Sequence, residues 1–236
     1  MVAQRVMGVA ARGLARRGLA LRRHPAARRQ RMLTRHGVDL VLDVGAAGGG
    51  YGSELREFGY RGRIVSFEPM RAAFDRLTAT RTGDDAWDAH QCALGAEPGT
   101  AEINVASNSD SSSLLPMADR HRAAAPAVDY VGTEQVRVER LDDVAGPLLS
   151  ASRRPFLKLD TQGFEKQVLA GGPETLARCV GLQLELSFVP LYEGGLLVDE
   201  AVSMAYGAGF HLVGLEPGFA DPDGQVLQAD GVFFRV

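Results

Sequence analysis

The chain has 236 residues, 45% of them hydrophobic, and a formal net charge of −3. This length suits one domain with a sizeable core, and the 2 cysteines are too few for a disulfide framework. No apolar run is long enough to span a bilayer, so we expect a cytoplasmic protein without a transmembrane segment.

Basic residues are concentrated near the start of the chain. Residues 1–37 contain ten of its 26 basic residues and none of its 29 acidic residues. Val2, Val6 and Val9 recur at helical spacing, which predicts an amphipathic helix that packs on the domain or on a second copy of the chain. We therefore predict a basic helical arm at 1–37, a catalytic domain at 38–236, and a homodimer formed through the arm. An anionic partner, an acidic membrane surface and a transit peptide are alternatives for the arm.

A glycine-rich turn follows the first predicted strand. The strand delivers Asp43 into this turn, where Gly45 and Gly49 allow the backbone to approach a ligand closely. The spacing differs from Gly-x-Gly-x-x-Gly, the dinucleotide fingerprint, because an acid occupies the end of the strand. An acid there suits a cationic ligand. We expect Asp43, Gly45, Ala46 and Gly49 to contact a cofactor.

A second acid supports a cofactor site. The next predicted strand, 64–68, ends in Glu68 and Pro69, about where a ribose-binding carboxylate should lie. Together the two acids suggest S-adenosylmethionine, with Glu68 on the ribose hydroxyls and Asp43 near the amino-acid end. The alternative is a structural turn with two surface carboxylates.

The third predicted strand, 88–93, should end near the adenine of such a cofactor, which adds Cys92 and Ala93 to the predicted contacts. The pattern then loosens between residues 95 and 141. This stretch begins with a serine-rich loop at 107–113, which we call the serine loop. Because ligands bind beyond the carboxyl ends of parallel strands, the loop is predicted to cover the site, with a plain solvent loop as the alternative.

Two further strands end in carboxylates. Asp160 should face the same crevice as the glycine turn, where it is also expected to contact the cofactor, and Glu185 lies between leucines, where a charge is costly without a partner. The two could bind Mg²⁺, act as a general base, or only orient the substrate. For Glu185 the structural alternative is an ion pair with Lys158 or an arginine. His121, within the loosely patterned stretch, is the histidine predicted as a possible base.

Seven strand candidates alternate with helical segments. They span 39–44, 64–68, 88–93, 156–160, 181–187, 210–215 and 231–236. This alternation predicts an α/β fold, with a mostly parallel sheet covered by helices on both faces. Asp-Pro-Asp-Gly at 221–224 is a turn signal between the last two strands, which predicts a C-terminal antiparallel hairpin.

With these motifs in place, the chain resembles the FkbM family of S-adenosylmethionine-dependent methyltransferases from about residue 40 onwards. The motifs that carry the resemblance are Leu42-Asp43-Val44-Gly45-Ala46, Phe67-Glu68-Pro69, Ala93-Leu94-Gly95, Ser111-Ser112-Ser113-Leu114, Lys158-x-Asp160-x-Gln162-Gly163-Phe164-Glu165 and Leu184-Glu185-Leu186-Ser187. The resemblance implies a seven-stranded, Rossmann-like class I methyltransferase fold. It also implies methyl transfer to oxygen, often on a sugar or a secondary metabolite in natural product biosynthesis.

The chain departs from the family pattern at two positions. Ala47-Gly48-Gly49-Gly50 stands where the family often has Asn in the glycine turn, and Cys92 replaces an Asn before Ala-Leu-Gly. Two cofactor contacts of the family are therefore expected to differ here, while Asp43, Gly45 and Glu68 are retained.

We expect an S-adenosylmethionine-dependent O-methyltransferase acting on a hydroxyl of a small-molecule acceptor. Two alternatives are a catalytically idle scaffold that keeps the cofactor pocket and an NAD-dependent dehydrogenase, against which the missing Gly-x-Gly-x-x-Gly counts. A nucleic-acid substrate is not expected, because the body of the chain is acidic and no Asn-Pro-Pro-aromatic motif occurs.

Overall fold

The computed structural model describes residues 15, 16, 18 and 24–235. The predicted helix that contains Val2, Val6 and Val9 lies outside these residues. Part of the predicted arm is described, as helix α1 (Pro25–Arg35). It begins with proline, whose missing N–H costs nothing at a helix start, and the His24 side chain accepts a hydrogen bond from the Ala26 N–H.

Ten strands and seven further helices follow α1. The strands are β1 (Leu40–Val44), β2 (Arg63–Phe67), β3 (Trp87–His90), β4 (Ala93–Gly95), β5 (Gly99–Ala106), β6 (Tyr130–Arg140), β7 (Pro155–Leu159), β8 (Gly181–Ser187), β9 (Phe210–Pro217) and β10 (Gln228–Arg235). The helices are α2 (Gly50–Glu57), α3 (Arg71–Thr80), α4 (Asp119–Ala124), α5 (Leu141–Leu149), α6 (Glu165–Ala170), α7 (Pro173–Arg178) and α8 (Val198–Gly207). No described helix is long and apolar enough to cross a membrane.

The main sheet has seven strands in the order β3-β2-β1-β7-β8-β10-β9. The first five of these pair in parallel, and β10 is antiparallel to both β8 and β9. The predicted turn connects the last two strands, with the Gly224 N–H donating to the Asp221 carbonyl at 2.9 Å. The predicted fold class, a mostly parallel sheet with a C-terminal antiparallel hairpin, is confirmed.

The stretch between residues 95 and 141 differs from its prediction. It contains β5 and β6, which pair along their length and form a second, three-stranded sheet with β4 in the order β4-β6-β5. The predicted third strand, 88–93, was wrong as one element. It divides into β3 and β4 because the chain leaves the main sheet at Gln91–Cys92 and Ala93 then pairs with Val138.

Apolar residues cover both faces of the main sheet. In β1 the side chains of Leu40, Leu42 and Val44 join one cluster, with α5 and α8, whereas Val41 joins the other. Leu33 of α1 is fully buried in this second cluster. The described end of the basic arm is therefore packed into the core. Since β1 lies between β2 and β7, the chain changes direction across the sheet at β1, and a crevice forms beyond its carboxyl end.

Candidate active site

The turn after β1 packs against the end of β7 through one glycine. Gly45 has φ of +74°, and a Cβ atom there would lie 1.8 Å from the carbonyl oxygen of Asp160. Glycine alone fits both the left-handed backbone and this approach. Gly49, with φ of +86°, instead immediately precedes α2 and lines neither of the two cavities described next.

The first cavity, which we call the inner cavity, has a volume of about 250 Å³ and a mainly apolar wall that includes Phe67, Ile103 and Phe164. Predicted cofactor residues that line it are Gly45, Glu68, Pro69, Cys92, Ala93 and Asp160. Burial raises the pKa of the Cys92 thiol to about 11, so this side chain is a neutral part of the wall at physiological pH. Residues from the ends of four predicted strands thus line one pocket.

Glu68 is the fixed carboxylate of the inner cavity. Its two oxygens accept hydrogen bonds from the backbone N–H groups of Ala47 and Met70, both at 2.9 Å, and the residue is 4% exposed. Burial raises the pKa of Glu68 to about 7, against the opposing effect of these two bonds. Each carboxylate oxygen has a second lone-pair position, so the group can also accept hydrogen bonds from ligand hydroxyls.

Asp43 does not reach the inner cavity, which differs from the predicted contact with the cofactor. It is fully buried, accepts a hydrogen bond from the Ser66 hydroxyl at 3.0 Å, and forms an ion pair with Lys158 at 3.0 Å. Burial alone would lower the pKa of Lys158, but the charges of Asp43 and Asp160 outweigh it and raise that pKa. The acid at the end of β1 therefore stabilises a buried cation, because its side chain points into the sheet face and not along the strand.

Lys158 connects this buried pair to the crevice. Its ammonium donates to the carbonyl of Gly45 at 2.9 Å and lies 3.6 Å from Asp160. The ion pair between Lys158 and Glu185, the structural alternative for Glu185, is not formed, since the contacts of the ammonium go to these groups and to Asp43. Lys158 thus holds the glycine turn and the carboxylate of Asp160 in one place.

A larger, more polar cleft of about 790 Å³, the outer cleft, adjoins the inner cavity. The two share Gly45, Ala47, Asp110 and Asp160. Carboxylates that line the outer cleft are Glu54, Asp110, Asp160, Glu216 and Asp230, and the cationic side chains are Arg29, Arg76 and Lys158. Ala46, predicted to contact the cofactor, lines this cleft and not the inner cavity. The outer cleft suits a polar ligand that carries no excess of negative charge.

Arg29 brings helix α1 into the wall of the outer cleft. Its guanidinium forms ion pairs with Glu54 of α2 and Glu216 of β9, and it lies over the ring of Tyr51, 4.7 Å from the ring centroid. The Tyr51 hydroxyl in turn donates to the side-chain oxygen of Gln183 at 3.0 Å. One residue of the basic arm therefore organises one side of the cleft.

Asp160 and Glu185 are brought together, as their positions predict. The side-chain nitrogen of Gln162 donates to Asp160 at 2.8 Å and to Glu185 at 3.3 Å. Loss of solvent and the charge of Asp160 raise the pKa of Glu185 well above its usual value. Asp230 pairs directly opposite Glu185 across β8 and β10, and burial together with Asp160 raises the pKa of Asp230 to about 6.

The described residues contain no group of three or more His, Cys, Asp or Glu side chains arranged to hold a metal ion. The Gln162 amide is instead hydrogen-bonded to both of the carboxylates that were predicted as Mg²⁺ ligands, Asp160 and Glu185. Asp160 and Glu185 therefore form a pair of acidic side chains connected by hydrogen bonds from one amide.

The predicted base His121 lies away from both cavities. It is 5% exposed on α4 and packs against the rings of Tyr192 and Phe219, with centroid distances of 5.3 and 5.7 Å. Burial and the charge of Arg122 lower the pKa of His121. Because it contacts a small apolar cluster and no cavity, the structure does not support a base role for His121.

Backbone strain is concentrated at the inner cavity. In the described part of the chain, three residues other than glycine have positive φ, namely Ala47, Ser109 and Gln162, at +46°, +66° and +55°. All three line the inner cavity. Such conformations cost about 1–3 kcal/mol each and cluster at binding sites. Ser109 belongs to the serine loop, whose residues also include Asp110, Ser112 and Ser113 in the cavity wall, as predicted from its position after the third strand.

Residues 43–212 match the family model described as the methyltransferase FkbM domain. The chain belongs to this family. As an FkbM-domain protein it has curated relatives of low identity. It is 24% identical over 163 residues to the 2-O-methyltransferase NoeI of Sinorhizobium fredii (strain NBRC 101917 / NGR234), a match that covers 66% of this chain and 67% of NoeI.

A second relative is Methyltransferase 1 of Beauveria bassiana (strain ARSEF 2860), 26% identical over 142 residues. That match covers 56% of this FkbM-domain chain and 57% of the fungal protein, so the chain spans little more than half of that relative. Among solved structures, a Thermobifida fusca YX protein, whose methyltransferase assignment is itself provisional, is similar with a TM-score of 0.50. It is 13% identical, and the match covers 89% of this chain and 78% of that one, which supports the fold alone.

Several residues that line the two cavities, or contact a residue of their walls, were not predicted from the sequence, and three of them lie outside the matched FkbM domain. They are Arg29, Tyr51, Gln162, Gln183, Tyr192, Glu216 and Asp230. For Gln162 a signal was present, since it stands between an acid at a strand end and a glycine. Asp230 and Glu216 lie on strands paired at the far side of the sheet, so no local pattern connects them to the glycine turn.

Proposed function

We propose that the chain is an S-adenosylmethionine-dependent O-methyltransferase whose acceptor is a hydroxyl of a sugar or secondary metabolite. One observation carries this proposal. The inner cavity and the outer cleft meet at Gly45, Ala47, Asp110 and Asp160, so a donor in one and an acceptor in the other would react at this junction. The family assignment supports methyl transfer, and the 2-O-methyltransferase NoeI supports oxygen as the acceptor atom.

The inner cavity fits the nucleoside part of this cofactor. Glu68 is fixed by two backbone N–H groups and would accept the ribose hydroxyls, while Cys92, Ala93 and Ile103 supply the apolar wall that an adenine ring needs. Gly45 lets the turn pack directly against the Asp160 carbonyl, where a Cβ atom would clash, and so places the backbone of the turn in the cavity wall. When bound, S-adenosylmethionine supplies an electrophilic methyl group for an in-line displacement.

Asp160 is the proposed base. Its side chain is 36% exposed at the junction, where it can accept the proton that the acceptor hydroxyl loses as its oxygen bonds to the methyl carbon. Lys158 and Gln162 hold the carboxylate in place from two sides. Most of the acceleration then comes from alignment of the reacting atoms and exclusion of water, with proton transfer adding about 10²–10⁴-fold.

The outer cleft supports a neutral, polyhydroxylated acceptor. Its five carboxylates exceed its three cations, and one of these cations, Lys158, is already paired with Asp43. A polyanion such as nucleic acid would be repelled from this wall, whereas sugar hydroxyls can donate to the carboxylates and accept from the arginines.

The test is transfer of isotopically labelled methyl from S-adenosylmethionine to a panel of neutral sugars, amino sugars and polyketide alcohols. We expect an O-methyl product, found by mass spectrometry, together with calorimetric binding of S-adenosylhomocysteine and none of NAD. Binding of NAD alone would favour the dehydrogenase, and tight S-adenosylhomocysteine binding without any product would favour the idle scaffold. Parallel assays with EDTA and with Mg²⁺ test the predicted metal, because a metal-bound acceptor would lose turnover in EDTA.

Two further predictions belong to this proposal. They are the boundary between a basic arm at 1–37 and a methyltransferase domain at 38–236, and a homodimer through the arm. Light scattering of the full chain tests the homodimer. We expect a dimer mass that falls to the monomer when residues 1–23 are removed.

A further inference from the structure

Gln162 combines a strained backbone with a side chain hydrogen-bonded at both ends. Its φ of +55° is left-handed, a conformation that costs a side-chain-bearing residue about 1–3 kcal/mol. The turn around it is held by Glu165, which accepts hydrogen bonds from the backbone N–H groups of Thr161 at 2.8 Å and Gly163 at 3.3 Å. Glycine would adopt this backbone at lower cost, so the presence of glutamine needs an explanation in its side chain.

The amide of Gln162 has a defined orientation. Its nitrogen donates to Asp160 and to Glu185, and its oxygen accepts from the Tyr192 hydroxyl at 2.7 Å. An inverted amide would place its oxygen against the carboxylate of Asp160, which cannot donate. Asp160 therefore decides which way the amide points, while Tyr192 holds the other end of the amide and so helps to fix the carboxylate of Asp160.

The serine loop contacts the same residue. The Ser113 hydroxyl donates to the Gln162 backbone carbonyl at 2.8 Å, and the Tyr192 hydroxyl lies 3.2 Å from the carbonyl of Ser111. Since this loop lines the inner cavity, Gln162 joins the cavity proposed for the cofactor to the carboxylate proposed to meet the acceptor.

We propose that Gln162 is a positioning residue for methyl transfer, which orients the carboxylate of Asp160 at the junction of the two cavities and is itself held in place by Tyr192. This inference rests on the proposed function, because Asp160 is the proposed base. It assigns the strained backbone of Gln162 to catalysis and not to stability. A misplaced base should lower kcat and leave acceptor KM and S-adenosylhomocysteine affinity nearly unchanged.

The main test compares Gln162→Gly with wild type. The glycine variant removes the amide and relieves the left-handed strain, so we expect kcat to fall about 100-fold while the melting temperature stays equal or rises. Gln162→Asn keeps an amide and tolerates the backbone, yet it is one methylene shorter and should also lose most of kcat. Tyr192→Phe keeps both donors to the carboxylates and should lose about 10-fold. Gln167→Ala, on α6 and outside both cavity linings, is the matched control.

A wild-type kcat in the folded fraction of Gln162→Gly would overturn the inference. A lowered melting temperature in the same variant would then identify Gln162 as a structural residue. A wild-type protein without turnover would count against the proposed function instead. For that case the contact is measured by a double-mutant cycle of Gln162→Gly and Asp160→Asn, with the midpoint of unfolding in urea as the measured quantity. Additive shifts of the midpoint would show that the two side chains do not interact in solution.

Discussion

The inner cavity and the outer cleft are built in different ways from the same chain. The inner cavity takes its walls from the ends of β1, β2 and β7 with the segments that directly follow them, and from β4, β5 and the serine loop, and its surface is mainly apolar. The outer cleft shares the glycine turn and the end of β7, but takes its other walls mainly from α1, α2, α3, β8, β9 and β10, which are distant in sequence, and it is lined by charged side chains. A cofactor can be recognised by short motifs, whereas an acceptor is selected by elements that only the tertiary fold brings together.

Asp160 belongs to both cavities and gives the largest expected effect. Asp160→Asn keeps the shape of the side chain and removes the proton acceptor, so we expect kcat to fall about 10²–10⁴-fold with S-adenosylhomocysteine affinity within a few-fold of wild type. Labelled methyl transfer and calorimetry measure the two quantities. Asp75→Asn, on the exposed face of α3, is the control. Wild-type turnover in Asp160→Asn would show that Asp160 is not the base. The residue shared by the two cavities would then have no role in the reaction.

The pH dependence of stability tests how much free energy of unfolding is lost when the buried Glu68 of the inner cavity becomes charged. The pKa of Glu68 is about 7 in the folded chain and near 4.5 when unfolded, so the folded state binds the extra proton between these values. Its stabilising contribution is full below about pH 4.5 and is lost as the pH rises through 7, by about 3 kcal/mol at most. We expect the free energy of unfolding in urea to decrease from pH 5 to pH 8, and Glu68→Gln to flatten this slope. An unchanged slope in that variant would show that Glu68 titrates normally.

The same variant separates the two cavities in binding. Glu68→Gln replaces a carboxylate that would accept ribose hydroxyls, so we expect S-adenosylhomocysteine to bind about 10–100-fold more weakly, because hydrogen bonds to a charged group contribute about 1.5–3 kcal/mol. Acceptor KM at saturating cofactor should change little. Glu57→Gln, an exposed residue of α2, is the control for calorimetry. Equal affinity in Glu68→Gln and wild type would place the ribose elsewhere.

The smallest expected effect lies on the outer cleft. Arg29→Lys keeps the positive charge and loses the planar guanidinium that bridges Glu54 and Glu216 over Tyr51. We expect acceptor KM to rise about 3–10-fold, because one hydrogen-bonding arrangement in the wall of the outer cleft is lost. The affinity for S-adenosylhomocysteine should stay unchanged. Arg31→Lys, exposed on the same helix, is the matched control. A change in cofactor affinity in Arg29→Lys, but not in Arg31→Lys, would show that α1 also affects binding in the inner cavity.

Prediction from the sequence succeeded where chemistry follows local pattern. The strand ends at Glu68 and Asp160 and the turn at Gly45 were found because an apolar strand followed by an acid or a glycine is a short signal. Asp43 shows the limit of that signal, since a strand-end acid can point into the sheet and pair with a buried lysine. His121 shows a related limit, because α4 packs it against the rings of Tyr192 and Phe219, which are distant in sequence.

The sequence by itself determined the fold class and the family, and its short motifs marked several residues that line the inner cavity. Apolar periodicity specifies strands and helices, and glycine is needed where backbone approaches as closely as at Gly45, whose φ is also positive. Only the tertiary structure decided that β4, β5 and β6 form a second sheet, that Arg29 of the basic arm enters the outer cleft, and that Asp230 faces Glu185. These arrangements depend on pairing between distant strands and on desolvation of charges, which no local pattern of residues encodes.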